Sequence, residues 1–221
     1  MAFYPVVEKF VSINGEGPKA GLISAFIRMK GCNLSCNYCD TSWANEENCP
    51  CTWFSTEDII VWLTGEQVSC VTLTGGEPLL VPEISELISA IGSSGISVEI
   101  ETNGSVFLEP FTHIEPRPAF TMDYKCPGSG MESVMELRNF SLLEKEDTVK
   151  FVVSDSDDLD KARQICLRYQ LGSRCHIFLS AVFGRIEPAQ IVDYMISHHW
   201  NDAHLQLQMH KFIWPPDLRG V

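Results

Sequence analysis

Cys32, Cys36 and Cys39 stand in the spacing Cys-x3-Cys-x2-Cys, followed directly by Asp40 and Thr41. Three thiolates on so short a loop can wrap one corner of a cubane iron–sulfur cluster. A fully ligated four-iron cluster takes four cysteines, so three leave one iron open to a ligand from outside the chain. Reductive cleavage of S-adenosylmethionine requires such an open iron, which the methionine amine and carboxylate can chelate, and the products of that cleavage serve radical chemistry. Zinc is the rival ligand. A structural zinc site wants four closed ligands, usually as two pairs, and Cys49-Pro-Cys51 could supply more thiolates. Cys70, Cys126, Cys166 and Cys175 fall in or beside apolar segments and read as packing residues.

The elements that must position these cysteines alternate in type. Ile23–Met29 reads as a strand, and so does the looser alternation from Pro5 to Ser12. Residues 30–50 carry Asn, Gly, Pro and Cys without a sustained period, which predicts a long ordered loop of the kind that is usually functional. Ser55-Thr-Glu-Asp58 predicts a capped helix start running to about Leu63. Further strands are predicted at Ser69–Thr74, Ile96–Glu101, Ala119–Tyr124, Thr148–Val153, Cys175–Ala181 and Leu205–Leu207. Helices are predicted at Pro82–Ser93, Met131–Leu143, Asp157–Tyr169 and Glu187–His198. Alternation of this kind implies crossover units and a mostly parallel α/β sheet, which binds ligands at the carboxyl ends of its strands. The turns after Thr74 and Glu101 lie at those ends.

Composition limits the remaining classes. A chain of 221 residues with 45% hydrophobic and 20% charged residues fits one core-forming domain, residues 1–221. The formal net charge of −13 and the lack of a basic run argue against a nucleic-acid partner. Apolar runs such as Asp58-Ile-Ile-Val-Trp-Leu63 are too short for a membrane span, and the first residues show no export signal, so the expectation is no membrane partner and a cytoplasmic location. Nine cysteines without that signal favour cluster or metal binding over disulfides.

The cysteine spacing together with Thr74-Gly-Gly-Glu-Pro78 at a strand end resembles the radical S-adenosylmethionine superfamily. Gly75 and Gly76 would let backbone groups approach the cofactor's methionine moiety, and Glu77 could accept from its ammonium. Phe10-Val-Ser-Ile-Asn-Gly-Glu-Gly17, Phe26-Ile-Arg-Met-Lys-Gly-Cys-Asn-Leu34, Tyr38-Cys-Asp-Thr41 and Glu101-Thr-Asn-Gly104 narrow the resemblance to the 7-carboxy-7-deazaguanine synthase family. It is strongest from residue 8 to 41 and weaker after residue 130.

That resemblance implies a partial, open (β/α)6-like barrel with some helices shortened. It implies conversion of 6-carboxy-5,6,7,8-tetrahydropterin to 7-carboxy-7-deazaguanine with loss of ammonia, on the route to queuosine and other 7-deazapurines. The cofactors implied are a [4Fe-4S] cluster on Cys32, Cys36 and Cys39, S-adenosylmethionine, and Mg2+ on Thr41. Tyr38, Cys39, Asp40, Gly76, Glu77, Asp123, Tyr124 and Lys125 are the implied cofactor contacts. Ile13, Asn14, Gly15, Arg28, Thr74 and Val221 are the implied substrate contacts. The family often carries Gln where Asn14 stands, and Ser-Pro-Lys where Asp123-Tyr-Lys125 stands. Arg28 suits a carboxylate because its fork is planar and bidentate. An electron donor such as flavodoxin or ferredoxin and a homodimer are the implied partners. The six histidines, His210 among them, read as structural or solvent-exposed. Two other readings stay open on the sequence: an activase that makes a glycyl radical on a partner protein, and a non-catalytic zinc module.

Overall fold

The computed structural model describes residues 2–215 and 218–221. Its elements run β1 (Phe3–Ile13), β2 (Ile23–Met29), β3 (Thr52–Ser55), α1 (Thr56–Gly65), β4 (Cys70–Gly75), α2 (Ile84–Ser93), β5 (Ser97–Thr102), α3 (Glu109–Thr112), β6 (Ala119–Tyr124), β7 (Thr148–Val153), α4 (Ser156–Tyr169), β8 (His176–Ala181), α5 (Pro188–Ser197), β9 (Ala203–Gln206) and α6 (His210–Ile213). All nine strands join one sheet in the order β3-β1-β2-β4-β5-β6-β7-β8-β9. From β2 outward through β9 every neighbour is parallel. Only β1 runs against the others, pairing antiparallel with both β2 and β3 on that side. The sheet does not close on itself. The open α/β barrel expected from the resemblance is therefore present, with three more strands than its six-fold unit.

The sheet has two chemically different faces. Side chains alternate along a strand, and Ile27, Leu73, Ile100, Phe151 and Leu179 share the face that packs under the helices, all without exposure. Arg28, Thr74, Glu101, Asp123 and Lys150 occupy the other face, so the inside of the open barrel is polar and charged.

Chain length forces that face to curl. β9 lies six strand steps from β2, roughly 29 Å on a flat sheet at the usual strand spacing. Yet Gly17, four residues beyond the end of β1, donates its N–H to Gln206 Oε1 on β9 at 3.0 Å. Four residues reach at most about 14 Å. The far edge must bend around until β9 meets the turn between β1 and β2.

Local signals explain most of the helices. Ser55 caps α1 through Asp58 N, and Asp58 returns a bond to Ser55 N at 2.9 Å, a reciprocal capping box. Asp155 caps α4 through Asp158 N. The helix expected over Met131–Leu143 does not form. Two 3-10 turns, Glu132–Val134 and Leu137–Ser141, take its place. Asn139, fully buried, accepts from Leu108 N at 2.9 Å and donates to Val106 O at 2.8 Å. Glu136 turns its carboxylate onto Arg138 N at 3.1 Å. Such side-chain bonds to backbone compete with a helical ladder. With α3 reduced to one turn, two crossovers are shortened, as the resemblance implies.

Candidate active site

The cysteine loop leaves the end of β2 and is moored at several points. Glu77 N donates to Gly31 O at 2.9 Å, next to Cys32, and Gly76 N donates to Met29 O at 3.3 Å. Asn37 N reaches Ser129 O at 3.0 Å, and the Tyr38 hydroxyl donates to Val152 O on β7 at 3.0 Å. The two glycines are obligatory for this arrangement. A Cβ on Gly76 would lie 2.0 Å from Gly31 O, and one on Gly75, whose φ is +142°, would lie 2.3 Å from Met29 O. What they admit is the backbone of β2 and the cysteine loop.

Cys32, Cys36 and Cys39 are half-buried and free of disulfides. Leu34 N donates to Cys32 Sγ at 3.4 Å and Asn103 Nδ2 does so at 3.5 Å. Cys39 Sγ lies 3.7 Å from Thr41 Oγ1. Burial pushes the Cys36 thiol up, while Lys125 beside it pulls the other way. The donor set fits an iron–sulfur cluster: three thiols on one ordered loop, with amide donors and a cation nearby to offset their collected negative charge.

Asp123 and Lys125 come together at the carboxyl end of β6, where Lys125 Nζ meets Asp123 Oδ2 at 2.7 Å. Asp123 Oδ1 is buried with no protein partner, an acceptor left open at the cluster loop. Burial opposes the Lys125 charge, but Asp123 outweighs it and the pKa is raised. Tyr124 departs from its expected place. Its side chain lies on the opposite face of β6, 3% exposed, packed at a tilt against Phe140 and Phe151 with its hydroxyl on Glu132. Strand alternation between Asp123 and Lys125 requires this.

Glu77 departs too. It is fully buried, and its carboxylate accepts from Asn103 N at 2.6 Å, Thr102 Oγ1 at 2.9 Å and Leu79 N at 3.1 Å. Those bonds brace the Gly-Gly turn against β5 and take up the capacity expected for an ammonium. Burial pushes its pKa up to about 7, against the pull of the three donors.

Arg28 Nε donates to Glu8 Oε1 at 2.7 Å, across the strand pair where Glu8 faces it. A register shift between Val6 and Glu8 brings that pairing about, as bulges beside sites do. Thr74 is buried beside the Glu101 carboxylate. Ile13, Asn14 and Gly15 form the turn after β1, with Gly15 packed under His210 and Met209 of the C-terminal segment. Asp40 is exposed at the loop's end. Val221 ends a tail whose Arg219 guanidinium stacks on Trp43, 4.0 Å from the ring centroid, so the tail returns to the cysteine loop.

Several site residues escaped the reading of the sequence. Glu16 pairs with Lys150 on the interior face, where Glu101 and Asp123 also surround the lysine. Burial disfavours the Lys150 ammonium, but these three carboxylates outweigh it and raise its pKa. Burial also raises Glu101 and holds His210 below its usual range, hence neutral at pH 7. The signal was available: charged residues at alternate positions in strands flanked by strands, as in Ser97-Val-Glu-Ile-Glu101, are costly unless paired.

Comparison with known proteins bears on this geometry. A 7-carboxy-7-deazaguanine synthase of Clostridium acetobutylicum is 52% identical over 219 residues, 99% of each chain. The chain belongs to the 7-carboxy-7-deazaguanine synthase family. A second synthase, from Chlorobaculum tepidum, is 36% identical and covers 98% of this chain and 96% of its own. The model of the radical SAM superfamily matches residues 26–115, from within β2 through the Gly-Gly turn to beyond β5. The crystal structure of QueE from Escherichia coli shares the fold, with a TM-score of 0.74 over 92% of this chain and 94% of that one at 21% identity. Synthase membership sets aside the glycyl-radical activase and the zinc module. Among the described residues no helix is long and apolar enough to cross a membrane.

Proposed function

We propose that the chain converts 6-carboxy-5,6,7,8-tetrahydropterin to 7-carboxy-7-deazaguanine with loss of ammonia, as one radical SAM domain spanning residues 1–221. The observation that carries this reading is the meeting of the Cys32–Cys36–Cys39 loop with Asp123 and Lys125 at the strand ends, in a chain of the synthase family. Cys32, Cys36 and Cys39 would hold the [4Fe-4S] cluster. Together with S-adenosylmethionine, that group supplies one-electron reductive cleavage and hydrogen-atom abstraction.

The chain's own residues do the binding and orienting. Glu8 occupies Nε of Arg28, which leaves the two terminal nitrogens as a fork for the substrate carboxylate. The hydroxyl of Thr41 and the exposed carboxylate of Asp40 offer hard oxygens suited to Mg2+. Asp123 Oδ1, open and buried, suits a donor on S-adenosylmethionine, and Gly76 and Tyr38 line the same loop. Thr74 and the turn at Ile13–Gly15 face the substrate, with neutral His210 over Gly15 and the Val221 tail as a cover against water. Tyr124 serves through its backbone only. A homodimer, a cytoplasmic setting and a flavodoxin- or ferredoxin-like donor complete the proposal.

The test is anaerobic reconstitution with iron and sulfide, reduction, and addition of S-adenosylmethionine, Mg2+ and the pterin, with mass spectrometry for the product. Wild-type chain should form 7-carboxy-7-deazaguanine and Cys36→Ala should form none. S-adenosylmethionine cleavage without the deazapurine would overturn the substrate assignment.

A further inference from the structure

Glu99 of β5 is 6% exposed and has no part in the chemistry above. Two donors reach its carboxylate: Thr121 Oγ1 of β6 at 2.7 Å on Oε1, and Asn14 Nδ2 at 3.1 Å on Oε2. Asn14 is itself 3% exposed, and its Oδ1 accepts from Glu16 N at 3.1 Å. Both ends of the Asn14 amide are therefore spent inside the protein. The turn has other moorings: Gly17 N on Gln206, Glu16 on Lys150, and the backbone of Asn14, whose N donates to Leu22 O at 2.6 Å and whose O accepts from Gly21 N at 2.7 Å. Only the bond to Glu99 joins two side chains that are both enclosed. A buried carboxylate on two well-placed donors is a rigid anchor, and losing either partner leaves an unsatisfied group.

We propose that Glu99 is the positioning residue of the Ile13–Gly17 turn, fixing the Asn14 amide and through it the backbone of residues 13 to 15. What that backbone faces rests on the synthase reading above. Asn14 acts as a pin rather than as a substrate contact. This also accounts for a short amide serving where the family often carries a longer one.

The pairing can be reversed. Asn14→Asp sets a second carboxylate against Glu99. Adding Glu99→Gln remakes each bond: the new amide donates to the residue-14 carboxylate and accepts from Thr121, while the second carboxylate oxygen still accepts from Glu16 N. The reconstituted wild type, Asn14→Asp, Glu99→Gln and the double variant should be compared by steady-state kinetics. Amide exchange should be followed by mass spectrometry on peptides covering residues 13–17. Asn14→Asp should raise KM for the pterin about tenfold, a size ordinary for coupled contacts, with kcat changed less than about twofold; Glu99→Gln, whose amide can turn to accept from Asn14 and donate to the Thr121 hydroxyl, should raise it less. A loss in KM alone marks lost binding rather than lost chemistry. The double variant should return to within about twofold of wild type, and exchange in the turn should quicken in the singles and slow again in the double. Should Asn14→Asp fail to fold, Glu99→Leu, which leaves Asn14 Nδ2 and Thr121 Oγ1 without their acceptor, must show the same rise in KM. Asn14→Asp matching wild type, or a double variant no better than Asn14→Asp, would overturn the anchor. If wild type forms no deazapurine but the exchange pattern follows the reversal, the anchor stands and the substrate reading falls.

Discussion

Gly76 has no side chain to contribute, and the cysteine loop depends on that. Its Cα faces Gly31 O so closely that a methyl group would stand 2.0 Å from the oxygen. The backbone carbonyl of Gly31 cannot yield as a flexible side chain can. Gly76→Ala should push the segment at Cys32 away from β4, and anaerobically reconstituted protein should bind far less iron and sulfide than wild type, measured colorimetrically per chain. Retention of the full cluster would show that the loop tolerates displacement. The residue scale also shows what was legible. Cys32, Cys36 and Cys39 stand out in the sequence by their spacing, and the structure places them half-buried on one loop. Glu77 and Tyr124 were misplaced because a motif reports a residue's neighbourhood and not the direction of its side chain. The carboxylate of Glu77 turned toward β5, and the phenol of Tyr124 turned into the core.

Among the elements, the junction of β6 and β7 depends on one acid. Asp147 is fully buried and accepts from Arg117 through Nη1 at 3.0 Å and Nη2 at 2.7 Å, from Phe120 N at 2.9 Å and from Glu144 N at 2.8 Å. Asp147→Ala would strand the guanidinium and two amides. Breaking such a buried pair costs about 3–5 kcal/mol, so the melting midpoint of the cluster-free chain should fall by on the order of 10 °C. A fall of only a degree or two would mean that water replaces the carboxylate. Strands were the legible elements: Ile23–Met29, Ala119–Tyr124 and Thr148–Val153 were bounded correctly from pattern alone. Their apolar faces are long enough to show a period. The short edge strand β3 was missed because Thr52-Trp-Phe-Ser55 pairs with β1 without burying its outer face, where Trp53 stays exposed. Met131–Leu143 misled because its apolar spacing suits a helix while Asn139 and Glu136 offer the backbone other partners.

For the molecule as a whole, acids enclosed in the fold couple stability to pH. Glu77 ionises near pH 7 in the folded chain and in the ordinary glutamate range when unfolded. Over the interval between them the folded state holds a proton that the unfolded state has lost. The stabilisation it carries is full below that interval and is lost as pH rises toward about 7. Denaturant midpoints of the cluster-free chain should accordingly fall from about pH 5 to about pH 7, and Glu77→Gln should flatten that slope. An equal slope in both proteins would place the proton elsewhere. The net charge of −13 gives no hint of this, since it counts carboxylates without regard to where they lie. The alternating pattern predicted a mostly parallel sheet. The inward aim of Glu99, Glu101 and Lys150 was beyond it, because which face of a strand looks inward depends on neighbours far away in the chain.

The bond from Gly17 to Gln206 spans the mouth of the curled sheet. A chord of fixed length sets the radius of the arc above it. Five residues, Ile13 to Gly17, thus act as a gauge: their reach fixes how far β9 stands from β2, and hence the girth of whatever lies between. Lengthening that turn by one residue would widen the enclosure without touching a single lining side chain. Selection of ligands by breadth would then be written in the turn's length and not in its composition.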